Sequence, residues 1–145
     1  MIGLAVLGAC GDSADEAPAP TPAAAPAAPA PAPAPVPAAA DLPVPAGATA
    51  EMVVEGQQVF VGAGICFTCH GQQAQGTPLG PSLADGEWLW IEAPEEDLVT
   101  KLAAVIRTGI AEPQEAPAPM PPMGGASLTE EQLQGVSAYV AALNQ

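Results

Sequence analysis

Cys66-Phe67-Thr68-Cys69-His70 decides how this chain is read. Two thiols three positions apart on one helical turn can each add across a vinyl group of the same porphyrin, and the adjacent imidazole is then carried over the iron as an axial ligand. Covalent attachment also retains the cofactor in a domain too small to enclose it. Two other chemistries use cysteine pairs. A structural zinc needs four ligands, normally two separated pairs, and this chain offers one pair and a single histidine. A thioredoxin-like redox pair belongs at the end of a strand in a βαβ unit, and Val61-Gly62-Ala63-Gly64-Ile65 does not supply one. The reading is one haem c, covalent through Cys66 and Cys69, with His70 on the iron.

Upstream of the motif, Met52, Val53, Gly56, Val59 and Phe60 recur at helical intervals and predict a helix over residues 50–61, ending around Gly62 and Gly64. Downstream, a polar loop over residues 71–77 leads to Gly80-Pro81-Ser82-Leu83, expected as a tight turn. Its carbonyls are candidates to accept the second ring N–H of His70, a bond that fixes the tautomer. Trp88 is expected to wall the haem or to pack as an ordinary core side chain, and Trp90 is expected in the core. Residues 95–108 predict a helix entered through Pro94, with acids in its first turn, Lys101 and Arg107 late, and Leu98, Leu102, Val105 and Ile106 as its buried stripe. Gly109 is its stop. A last helix starts after Ser127 or Thr129 and buries Val136, Tyr139, Val140 and Leu143.

The iron's other axial position decides between electron transfer and ligand chemistry. The chain has no second histidine, so a thioether is the natural donor. Met52 lies in the first helix and Met1 at the N-terminus, which leaves Met120 and Met123. A sulfur held among Pro117, Pro119, Pro121 and Pro122 is restricted before folding and loses little entropy on reaching the iron. Met120 is preferred, and Met123 is read as an apolar filler beside the ring.

The rest of the chain is unlike a folded domain. Nineteen prolines occur in 145 residues, eleven of them between Pro18 and Pro45, far above ordinary usage. Ala/Pro repeats hold the backbone semi-extended at about 3.1 Å per residue, so some 24 residues reach roughly 70 Å. Three segments are expected: residues 1–9 as a truncated signal, 10–48 as an anchor cysteine and polyproline-like, disordered linker, and 49–145 as the haem domain. Leu7-Gly8-Ala9-Cys10 resembles a bacterial lipobox, which implies that Cys10 is a lipid anchor and that the chain sits on the periplasmic side of a bacterial membrane. With Cys66 and Cys69 committed to haem, Cys10 has no disulfide partner. A net charge of −14, with only Lys101 and Arg107 as cations, excludes nucleic acid and electrostatic attachment to anionic headgroups.

Taken in order, Gly56 and Phe60, the motif with Gly71, Gly80-Pro81-Ser82-Leu83, Met120-Pro121-Pro122 with Gly124-Gly125, and Leu128-Thr129 with Tyr139-Val140 resemble the class I cytochromes c. The resemblance covers about residues 56–143. It implies an all-α fold of three to five helices around one haem, with first and last helices crossing near Gly56, Phe60 and Tyr139. It also implies His70 and Met120 as axial ligands and the Pro81 carbonyl as acceptor from His70. The chain lacks the lysine ring of the mitochondrial type, so its docking must differ. The expected function is a membrane-tethered single-electron carrier between a quinol-oxidising complex and a terminal acceptor, with redox proteins as partners, no small-molecule substrate and no enzymatic turnover of its own. The alternative is a fixed cytochrome subunit of a larger redox complex, such as an oxidase, a dehydrogenase or a photosynthetic reaction centre. A gas sensor or peroxidase would need an open iron, against which the Met120 loop argues.

Overall fold

The first helix, α1, runs Ala50–Val61 as its periodicity predicts, and the Thr49 hydroxyl caps it by accepting the Met52 N–H at 3.3 Å. The helix closes where the Gly64 N–H bonds back to the Val59 carbonyl at 2.8 Å. The last helix, α4 (Glu130–Ala142), starts from a reciprocal cap in which Thr129 accepts from the Gln132 N–H and the Gln132 side chain accepts from the Thr129 N–H. Between them lie α2 (Phe67–His70) and α3 (Leu98–Thr108), with 3-10 turns at Ala39–Asp41, Glu95–Asp97 and Pro122–Gly125. This computed structural model describes residues 37–92 and 95–145. Cys10, the signal segment and the linker as far as residue 36 lie outside the described residues, as does Pro94.

The fold is all-α. Among the described residues the extended pairings are two isolated bridges, Thr77 with Gly80 and Ile110 with Met120. Helices α1 and α4 cross at the centre, with α3 packed on α4. The crossing is close because Gly56 has no side chain: a Cβ there would fall on the Gly135 carbonyl. One turn further, Phe60 and Tyr139 meet edge to face with ring centroids 5.6 Å apart and planes at 62°. Both rings are buried, with Leu133, Val136 and Val53 around them. Helix α4 is buried over nearly its whole surface, which makes it the central element rather than a one-faced outer helix. Its buried Ser137 hydroxyl donates to the Leu133 carbonyl at 2.7 Å, so it leaves no orphaned polar group.

Three local expectations are corrected. The segment 95–108 is a 3-10 turn followed by α3 from Leu98, so the acids precede the α-helix instead of filling its first turn. The buried stripe of α3 is Leu98, Val99, Leu102, Ala103 and Ile106, and Val105 is half-exposed. The tight turn falls on residues 77–80, where Pro78 takes the second position and Thr77 and Gly80 exchange both backbone hydrogen bonds; Pro81 and Ser82 follow it outside any helix or bridge. The end of the stretch expected as linker is also packed: Ala39 and Pro45 are buried, and the Ala39 N–H reaches the Gln57 side chain on α1. Among the described residues no helix is long and apolar enough to cross a membrane.

Candidate cofactor site

The loops between α1 and α4 do not close on each other. They leave a largely apolar cavity that is partly open to solvent. Phe60 of α1, Leu102, Val105 and Ile106 of α3, and Val136 and Val140 of α4 line it. The outward turn of Val105 is thereby explained: it faces the cavity, not the helix core. The remaining walls come from residues 79–83, 87–91 and 113–124.

All of Cys66, Cys69, His70, Pro81, Trp88 and Met120 border this one cavity, and Met123 joins them. Helix α2 is a single turn, in which the His70 N–H bonds to the Cys66 carbonyl at 3.0 Å, so the two sulfurs and the imidazole share one short rigid piece. Both thiols are free. Burial pushes the Cys66 thiol up to about 11, against a weaker opposing effect of its own backbone N–H, so it is a neutral thiol at physiological pH. The Cys66 Sγ donates to the Gly64 carbonyl at 3.4 Å.

Nδ1 of His70 and the Pro81 carbonyl oxygen are 2.8 Å apart. A carbonyl only accepts, so the proton sits on Nδ1 and Nε2 keeps its lone pair for a metal. Burial holds this imidazole below its usual range while the Pro81 carbonyl pulls the other way, and the balance favours the neutral ring. The loop that carries Pro81 is tied at several points. The Thr77 hydroxyl donates to the Cys69 carbonyl, and Leu83 N–H donates to the Ala74 carbonyl at 2.8 Å.

On the opposite arm of the chain, Met120 is fixed by its backbone. Its N–H and carbonyl exchange bonds with Ile110 at 3.0 and 2.8 Å. Gly109, at φ +71°, lies directly beneath: a Cβ there would collide with the Met120 carbonyl and the Pro121 backbone. Met123 occupies the left-handed region at φ 55°, ψ 22°, inside the turn Pro122–Gly125. Trp88 is half-buried against the core. Trp90 is 42% exposed at the cavity edge, so it is not the core side chain that was expected.

The residues present fit a haem. Two thiols and an Nε2 lone pair sit at one border, two thioethers at another, and between them is an apolar space. Among the described residues no three of histidine, cysteine, aspartate and glutamate converge as a metal site. Gly109 is the stop of α3 that the sequence predicts, and its second role beneath Met120 carried no sequence signal. Sequence reading missed Gly135 and Asn144. Asn144 carried no signal, since its partners lie at residues 83 and 86.

The Cytochrome c family model matches residues 53–144. The chain is 38% identical over 95 residues to the "Cbb3-type cytochrome c oxidase subunit FixP" of Sinorhizobium medicae, covering 61% of this chain and 32% of that protein. It is 37% identical over the same length to the subunit of that name from Rhizobium meliloti, with the same shares. The chain therefore spans about a third of the length of these curated relatives. No solved structure matches it significantly.

Proposed function

The chain belongs to the cytochrome c family, whose members carry covalently bound haem c and transfer electrons, and from that premise we propose that it is the electron-transfer subunit of a membrane-bound redox complex of the oxidase type. The observation that carries this reading is the similarity to two oxidase subunits over 95 aligned residues, 61% of this chain. It favours a fixed subunit over the mobile carrier, for which the Ala/Pro-rich stretch remains the supporting feature.

One haem, attached through Cys66 and Cys69 and ligated by His70 and Met120, is the arrangement that the cavity borders support. The bound haem supplies a one-electron iron couple. The chain's own residues do the rest. Pro81 holds the Nδ1 proton of His70 and so presents Nε2 as the donor atom. Ile110 and Gly109 fix the backbone of Met120 and so keep its side chain at the cavity border. Held by His70 and Met120, a haem would have a raised potential, as a donor to a terminal oxidase requires. Phe60, Leu102, Ile106, Val136 and Val140 keep water from the inner side, which limits solvent reorganisation when the charge changes.

The partner's docking face is basic or apolar. Arg107 is paired with Glu130 at 2.6 Å, and Lys101 donates to the Glu92 carbonyl at 3.0 Å, against sixteen acids in the chain. Attachment to the periplasmic side of the membrane through a lipid on Cys10 is part of the proposal and rests on the lipobox-like Leu7-Gly8-Ala9-Cys10. The test is extraction of native membranes with a mild detergent. The haem-bearing chain is expected to copurify in fixed ratio with one oxidase complex at moderate salt. Quantitative elution as a free monomeric cytochrome would contradict the subunit reading and return the carrier to first place.

A further inference from the structure

We propose that Asn144 is a positioning residue for the His70 side of the iron site, an inference that rests on the haem reading above. Asn144 follows the last turn of α4, and its amide makes three hydrogen bonds. Nδ2 donates to the Leu83 carbonyl at 2.8 Å and to the Val140 carbonyl at 3.0 Å, while Oδ1 accepts the Gly86 N–H at 2.7 Å. The orientation is fixed by its partners. Two carbonyls demand a donor and one N–H demands an acceptor, so a flipped amide would break all three.

Leu83 lies two residues after Pro81, whose carbonyl accepts from His70 Nδ1 at 2.8 Å. Proline has a fixed φ and no N–H with which to anchor itself, so the position of its carbonyl depends on its neighbours. The Leu83 N–H is held by the Ala74 carbonyl at 2.8 Å and the Leu83 carbonyl by Asn144. The segment that orients the imidazole is gripped on both sides, before Pro81 by the paired backbone bonds of Gly80 with Thr77 and after it by the two bonds of Leu83. The grip on one side comes from α4, the most deeply buried helix. Asn144 transmits the rigidity of that helix to the hydrogen bond behind the iron's nitrogen ligand.

The consequence is electronic. An Nδ1–H donating to a well-placed carbonyl makes the imidazole a stronger donor through Nε2, which favours Fe(III) and lowers the midpoint potential. Loosening the Pro81 carbonyl weakens that effect. Gly86 is exposed, so water can take over its bond, whereas the Leu83 and Val140 carbonyls are part-buried and lose a partner, so a lowered Tm is expected beside the redox effect.

Redox titration of the full, haem-loaded chain compares wild type with Asn144→Ala and Asn144→Ser, with exchange of the His70 Nδ1 proton followed by NMR in the ferrous form. Haem attachment is expected to be unchanged, the midpoint to shift upward in Asn144→Ala and by less in Asn144→Ser, and the Nδ1 proton to exchange faster in both. A midpoint and exchange rate equal to wild type in both variants, even with a lowered Tm, would overturn the inference and reduce Asn144 to a structural clamp. A wild-type chain that attaches no haem would overturn it together with the reading of the cavity.

Discussion

The α1–α4 crossing and the cavity walls are held together in different ways. At the crossing, backbone approaches backbone through Gly56, and Phe60, Tyr139, Leu133 and Val136 interlock around it with no exposed surface to spare. At the walls, loops are held by separate bonds: Ile110 to Met120, Leu83 to Ala74 and Asn144, and the Gln114 side chain to the Leu89 carbonyl at 3.2 Å. Continuous close packing resists any added volume. Point attachment can lose one bond without losing the fold. Stability should therefore be concentrated in the crossing and tuning of the iron in the walls.

The sharpest break is Gly56→Ala. Its new methyl meets the Gly135 carbonyl and the Tyr139 Cβ, so the helices must separate, and a loss of about 3 kcal/mol is expected in chemical denaturation. The reciprocal Gly135→Ala meets nothing closer than 3.4 Å and should stay within about 1 kcal/mol of wild type, helped by the better helix propensity of alanine. Equal losses would show that the crossing is looser than its geometry.

Gly109→Ala probes the walls. It strains a positive φ and pushes the Met120 carbonyl outward. The methionine–iron absorption band should weaken or vanish while haem remains attached, with a stability loss of about 2 kcal/mol. An intact band would mean that the bridge to Ile110 does not set the sulfur's position.

The smallest effect is expected outside both regions. Arg107→Ala breaks an exposed pair with Glu130 and should barely move Tm. Glu51, Glu130 and Glu131 are held below the usual carboxylate range, Glu51 and Glu131 mainly by backbone hydrogen bonds and Glu130 mainly by Gln134 and then Arg107. A lowered pKa contributes stability above the unfolded value and loses it as pH falls through the folded one. Acid titration in the carboxylate range should thus destabilise gradually and be flattened by salt. A single steep step there would implicate a buried acid instead.

The contrast between the two regions also explains what could be read in advance. Helix α1 and the caps of α4 follow from periodicity and capping, which are local, while the crossing at Gly56, Phe60 and Tyr139 is what the resemblance to class I cytochromes c implies. The Cys66-Phe67-Thr68-Cys69-His70 turn is local too, and so are its consequences for one short helix. The walls have no period. Trp90 was assigned to the core because tryptophan usually packs there, yet its loop carries it to the cavity edge. Val105 fits the stripe of a helix packed on one partner, and α3 instead divides its surface between α4 and an open space. Asn144 reaches 61 residues back to Leu83, a separation over which no sequence pattern speaks. The 3-10 turn before α3 displaced the acids from the helix for a similar reason: three acids signal a helix start without saying which turn is α-helical.

The closed iron site is tested most directly by exposing the ferrous, haem-loaded chain to carbon monoxide at neutral pH, beside Met120→Ala and Met123→Ala. Wild type and Met123→Ala should keep a low-spin spectrum with the methionine–iron band in the ferric form and resist carbon monoxide, whereas Met120→Ala should lose the band and bind the gas. Ready binding by wild type, or loss of the band in Met123→Ala alone, would contradict His70/Met120 ligation.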